Sequence, residues 1–209
     1  MKFQYLMIAS AILASIRGLG LLLASRRPIN ILPALFFVAF LSLAGCLISE
    51  TNEYRITLNP NGKSGTMTVV QYNLQSDEKD PKKQQDDFNG LINDWKSDQY
   101  LLDRVKEGMY VKERRVYLER GNIARKEVLL FPDFSQLFKK ELMNDTLRVS
   151  FPNKEKTVLA TNGVLIRSKD STTIFWPPKT KEFVLKTREN EFTAQSDFAA
   201  RFKAYLKKH

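Results

Sequence analysis

Apolar and polar residues follow three rhythms along this chain. Positions 1–45 are apolar with few interruptions. Over much of 53–74 and 109–187, apolar residues alternate with polar ones, the period of a half-buried strand. Between those stretches and again at the C-terminal end they recur every three or four residues, the spacing of one helix face.

The strand rhythm opens with Tyr54, Ile56 and Leu58 alternating with Arg55 and Thr57. Asn59-Pro60-Asn61-Gly62-Lys63-Ser64-Gly65 is a turn cluster, and Thr66 to Leu74 returns as a β-branched and aromatic run, so the two runs are expected to form a hairpin. Asp80-Pro81 has the signature of a helix N-cap with proline at the first position, and Phe88, Leu91, Ile92 and Trp95 then share one face. Ser97 is placed to cap a second helix with Tyr100, Leu101 and Val105 as its apolar positions, ending near Gly108. Tyr110 to Leu118 and Ile123 to Phe131 flank Glu119-Arg120-Gly121-Asn122, a second hairpin. A short helix over Phe134, Leu137 and Phe138 follows Pro132-Asp133. Further strands are expected at 146–151, 157–160, 164–167, 172–176 and 182–187, with Asn162-Gly163 as a tight turn between two of them. Ser196 is the expected cap of a last helix in which Phe198, Phe202, Tyr205 and Leu206 share a face.

Long alternation of strand and helix is missing, which argues against a doubly wound parallel sheet. The expected fold is α+β: a curved antiparallel sheet of about seven or eight strands with helices packed on one face, after an N-terminal apolar leader. A sheet of that size tends to close partly or wrap a helix, leaving an apolar interior.

The apolar opening is read as a leader over 1–45. It holds no Asp or Glu and only four cations, Lys2, Arg17, Arg26 and Arg27. Arg26 and Arg27 form an n-region, and Ile31 to Leu43 an apolar h-region of about 13 residues, which suits a signal peptide and is short for a spanning helix. Phe3 to Ser25, a second apolar run, is read as a long extension or as sequence ahead of the true start, because Arg17 would be costly at mid-bilayer. A membrane helix there is the alternative. Ser25-Arg26-Arg27-Pro28-Ile29 partly matches a twin-arginine signal, but the very apolar h-region fits general secretion better.

Leu43-Ala44-Gly45-Cys46 ends this stretch and contains the chain's sole cysteine. It resembles the lipobox of bacterial lipoproteins. That resemblance implies recognition of Leu43, Ala44 and Gly45 by signal peptidase II, cleavage before Cys46, and a diacylglyceryl group on its thiol. The chain would then be held in a membrane through that cysteine, in the cell envelope, with Leu47 in the next position suggesting the outer membrane if the organism has two. Each buried acyl CH₂ contributes ~0.8 kcal/mol, so two or three chains give slow release. The organisation expected is a leader at 1–45, a lipidated cysteine and short tether at 46–52, and one α+β domain at 53–209.

Composition changes the picture modestly. Thirty-three basic residues, less the four of the leader, leave 29 against 23 acidic, a net charge of +6 beyond residue 45. That mixed balance suits anionic envelope surfaces rather than nucleic acid, which needs a concentrated basic stripe. Acylation leaves no thiol for a disulfide, so packing must stabilise the domain.

Candidate chemistry is sparse. The sole histidine is the terminal His209, which removes Ser-His-Asp and Cys-His catalysis and His/Cys zinc sites. Asn61-Gly62-Lys63-Ser64-Gly65 lacks the upstream glycine of a phosphate-binding loop. Asp86 and Asp87 are the only carboxylates to put forward for a cell-wall hydrolase, and helix N-terminal charge in a solvated segment is the preferred reading of them. No cofactor and no metal are expected. Aromatics crowd the second half, and Phe175, Trp176, Phe183, Phe198 and Phe202 are the candidates to line an apolar ligand pocket, with core packing as the alternative. Arg114 and Arg115 are neighbours in a strand and must face opposite sides.

The hairpin of Tyr54 to Leu74 just after a lipidated cysteine is similar to the start of LppM-like envelope lipoproteins, which implies an envelope role with lipid contact and carries over no catalytic residue. The expected function is that of a non-enzymatic envelope lipoprotein binding a lipid or other envelope component. The alternatives are a scaffold docking an envelope protein partner, or the carboxylate hydrolase.

Overall fold

The computed structural model describes residues 47–139, 141–193 and 196–209. The leader, the peptidase residues Leu43, Ala44 and Gly45, and the acylation site Cys46 lie outside the described residues.

In chain order the elements are β1 (Leu47–Leu58), β2 (Gly65–Ser76), α1 (Pro81–Lys96), α2 (Asp98–Lys106), β3 (Tyr110–Glu119), β4 (Asn122–Phe131), α3 (Phe134–Leu137), β5 (Leu142–Met143), β6 (Thr146–Pro152), β7 (Lys156–Thr161), β8 (Val164–Arg167), β9 (Ser171–Trp176), β10 (Glu182–Glu189) and α4 (Phe198–Leu206). The class is α+β and the strand pairings are antiparallel.

The strands form two sheets rather than one of seven or eight strands. Six make a sheet in the order β3-β4-β2-β1-β10-β7, and four make another, β5-β6-β9-β8; neither closes. The chain crosses between the sheets four times, before β5, β7, β8 and β10, and the crossing from β7 to β8 falls at Asn162-Gly163. These residues do not turn a hairpin but carry the chain from β7 in one sheet to β8 in the other. The Asn162 side chain fixes the crossing: its Oδ1 accepts from Trp176 Nε1 at 2.7 Å and from the Val184 amide at 2.9 Å, and its Nδ2 donates to the Glu182 carbonyl at 2.8 Å. Residues 47–52, expected as a tether, are the first half of β1, paired with β2 as far as Leu47↔Ser76.

One face of the six-stranded sheet organises the interior. Successive inward rows can be read from the register, because alternate residues share a face. The first row is apolar: Val111, Leu129, Met67, Ile56 and Phe183 lie side by side. The inner residues of the four-stranded sheet, Leu147, Val149, Ile174 and Trp176, close over it to form one core. Two rows further along, Arg125, Gln71, Asn52 and Thr187 make a polar band. Asn73, at φ 53°, then shifts the phase of β2 so that Leu74 turns inward, into a second core with Phe88, Leu91, Ile92, Val116, Ile123, Phe198 and Phe202. The ten strands and both cores described above are made within residues 47–209.

The helices follow their sequence signals closely. Asp80 caps α1 by accepting from the Lys82 amide at 2.8 Å, with Pro81 in the first turn, and Phe88, Leu91 and Ile92 are buried. Ser97 caps α2. The cap of α4 is Asp197, one residue after the expected Ser196, whose hydroxyl instead joins Gln75 and the Ser76 amide. Helix α2 departs most from expectation. Val105 is 45 % exposed and Leu102 56 %, while Arg104 is 4 % exposed. The helix is attached through polar groups: Arg104 donates to Glu107 at 2.7 Å and to the Tyr100 hydroxyl at 2.7 and 2.9 Å, and that hydroxyl donates to the buried Glu127 of β4.

Candidate functional site: a lysine-rimmed cleft at the end of the six-stranded sheet

A cleft of about 460 Å³ lies where the β1–β2 turn, the β9–β10 connection, α3 and the β5–β6 turn meet. Each wall is set by local chemistry. In the β1–β2 turn, the Asn61 side-chain oxygen accepts from the amides of Lys63 and Ser64, and Gly62 sits at φ 68° as the Asn-Gly pair demands. The β9–β10 connection is a tight bend after Pro177-Pro178, with the Thr180 hydroxyl on the Pro177 carbonyl and Lys179 at φ 70°. Two backbone bonds join these walls to their neighbours: the Leu58 amide donates to the Lys181 carbonyl at 2.8 Å, and the Phe134 amide to the Lys63 carbonyl at 2.6 Å.

The floor is apolar, made by Leu58, Phe134, Leu142, Leu147 and Phe183. Phe134 and Phe183 stack with centroids 5.1 Å apart, and Phe183 meets Trp176 edge-on at 6.0 Å, so the floor is continuous with the core. The rim carries Lys63, Lys179 and Lys181, with Asp133 and Asp145. The Asp133 carboxylate caps α3, accepting from the Ser135 and Gln136 amides and the Ser135 hydroxyl; those bonds, with help from nearby Lys63, hold it below the usual carboxylate range.

The five aromatics expected to share one pocket do not come together. Phe183 reaches the cleft and Trp176 supports it from the core. Phe198 and Phe202 belong to the other core, edge-on to Phe88 at 5.6 Å and to Trp95 at 6.3 Å. Phe175 points away from both, beneath the Arg148 guanidinium at 5.5 Å. β9 explains the split: Phe175 and Trp176 are adjacent and so face opposite sides of the sheet. The cleft lysines were not legible in advance, since Lys63 and Lys181 are over a hundred residues apart and meet only because β1 pairs with β10.

A second polar cluster, beneath α2, is structural. Arg114 points inward and donates to the carbonyls of Asp94 and Ser97, each at 2.9 Å, satisfying the end of α1; Arg115 faces out to Glu113. Burial raises the Asp94 carboxyl, with Arg125 opposing and Glu127 adding. The gap among these residues is about 10 Å³, room for about one water. Asp86 is exposed on α1 and Asp87 accepts from the Ser76 hydroxyl; neither reaches the cleft. Among the described residues no group of three His, Cys, Asp or Glu side chains is placed to hold a metal.

No known protein family matches this chain, and neither a curated protein nor a solved structure is similar to it.

Proposed function

We propose that this is a non-enzymatic envelope lipoprotein, cut before Cys46, held in a membrane by a diacylglyceryl group on that cysteine, and binding an envelope component in the lysine-rimmed cleft. The observation that carries the binding role is the cleft itself: its volume is that of a small-molecule site, and an apolar floor with a few polar groups at the mouth is the usual make-up of one. The leader, the lipobox and the sole cysteine support the anchor.

The start of β1 bears on how such a protein would stand. Leu47 directly follows Cys46 and is already in the strand, so little slack separates bilayer and domain. The cleft lies at the other end of β1, beside Leu58, roughly 35 Å along a strand of that length. On this reading the cleft sits at the end of β1 far from the anchor.

The test is a titration of residues 47–209 with a fluorescent fatty acid. Saturable one-to-one binding, weakened by Leu142→Gln at the half-buried part of the cleft floor with the fold intact by circular dichroism, supports the reading. Binding that never saturates, or that ignores Leu142→Gln, counts against it. Docking of a protein partner is the second reading, favoured by exposed Val164 and Ile166 on the edge strand β8. Its test is crosslinking in intact cells, where a discrete partner band lost on Ile166→Glu supports it.

A further inference from the structure

We infer that the ligand of the cleft is an amphiphile with an anionic headgroup, a phosphate or a carboxylate, its chain on Leu142, Leu147 and Phe183 and its head among Lys63, Lys179 and Lys181. This rests on the cleft being the binding site.

Three observations specify the head. First, three exposed lysines from two segments line one cleft, and none of them forms an ion pair among the described residues. Second, Lys181 does not simply extend into water. Its Nζ lies over Gly62, where a β-carbon would stand 3.2 Å away, so the ammonium is held against the neighbouring β1–β2 turn. Third, the mouth keeps a positive balance: three lysines face two carboxylates, Asp133, which is bonded to the α3 amides, and Asp145, exposed on the β5–β6 turn. The carbonyls of Lys63 and Lys181 are both fixed by backbone bonds, so the stems of two of the lysines start from set positions. An anion entering here gains charge-assisted bonds without displacing an ion pair.

The floor specifies the tail. Leu147 and Phe183 belong to the main core, and Leu142 packs against it, so an alkyl chain laid on them extends a dry surface. An inorganic anion would leave the open apolar surface of the cleft, Leu58 and Leu142 above all, in contact with water, and an uncharged amphiphile would leave the three lysines without a counter-charge.

The experiment compares four probes on residues 47–209 by calorimetry: dodecyl phosphate and dodecanoate below their micelle concentrations, dodecyl maltoside as the neutral partner, and inorganic phosphate as the head alone. Both anionic amphiphiles are expected to bind one-to-one, with the neutral one and inorganic phosphate about tenfold weaker or worse. Lys63→Ala with Lys181→Ala should remove that preference, the anions falling to the affinity that dodecyl maltoside shows for the same variant, and added salt should weaken only the anions. Equal binding of neutral and anionic amphiphiles overturns the headgroup assignment while leaving the cleft as a binding site. Inorganic phosphate binding as tightly as dodecyl phosphate overturns the amphiphile. Failure of every amphiphile overturns the cleft as the site. A further arm uses vesicles containing phosphatidylglycerol. Sedimentation of the protein with them, in competition with dodecyl phosphate, marks a bilayer headgroup as the source; binding of the monomeric probe alone marks a free amphiphile.

Discussion

Gly163→Ala should destabilise the protein, while the same change at Gly90 should stabilise it. At Gly163, where the chain crosses between sheets, a β-carbon would stand 2.6 Å from Ile174 Cγ2 and 2.8 and 2.9 Å from Trp176 Cε2 and Nε1. Ordinary carbon contacts are about 3.5–4.0 Å, so these neighbours must yield by roughly 1 Å. Neither is free to do so: Ile174 and Trp176 are buried in the main core, and the indole is held by its bond to Asn162. Overpacking of this kind costs about 1–3 kcal/mol, and a strained indole bond adds about 1 kcal/mol. Gly163 is not at positive φ, so alanine also gains about 0.4–1 kcal/mol from a less flexible unfolded chain. The net expectation is a loss of about 1–3 kcal/mol. Gly90 lies inside α1 with nothing within 4 Å of a β-carbon, so alanine there should add about 0.5–1 kcal/mol. Urea denaturation of residues 47–209 followed by tryptophan fluorescence measures both. Equal stability of Gly163→Ala and the parent, or one sign for both variants, would refute the account of the crossing.

Other residues give further outcomes. The Thr187 hydroxyl is 2 % exposed as a residue and has no hydrogen-bond partner among the described residues, so Thr187→Val should be neutral or stabilising by up to about 2 kcal/mol in urea melts; a clear loss would show that the hydroxyl has a partner. Glu127→Leu leaves Arg104 buried beside Tyr100 with one carboxylate fewer and should cost about 3 kcal/mol or more, whereas Glu127→Leu with Arg104→Met should recover most of it by the same assay. Asp133 has a depressed carboxyl, so it contributes stability above the unfolded pKa that is lost as pH falls through the folded one. Accordingly Asp133→Asn should be less stable than the parent near neutrality, with the gap closing in acid; a gap independent of pH would contradict the cap.

Much of this architecture is legible in the sequence where the signal is local. The face of Phe88, Leu91 and Ile92, the Asp80 and Ser97 caps and both early hairpins need only neighbouring residues to specify them. Asn162-Gly163 misleads because a turn signature says nothing about which sheet receives the next strand. Here the glycine serves close approach to Trp176, not a hairpin. The apolar positions Tyr100, Leu101 and Val105 point to an apolar face on α2, and the structure buries Arg104 instead, because Glu127 and Tyr100 sit where they can pair with it. The aromatic count located buried mass but not which of two cores received it. The cleft was illegible for a related reason: an exposed lysine carries no pattern of its own, and Lys63 and Lys181 become one feature only through strand register.

The most direct test of the central claim is native mass spectrometry of the mature protein released gently from the host that exports it, followed by solvent extraction. The account predicts a discrete added mass that extracts as an anionic amphiphile and is missing from a Lys63→Glu, Lys181→Glu variant of unchanged fold. A bare folded protein, or an adduct that persists in that variant, would contradict it.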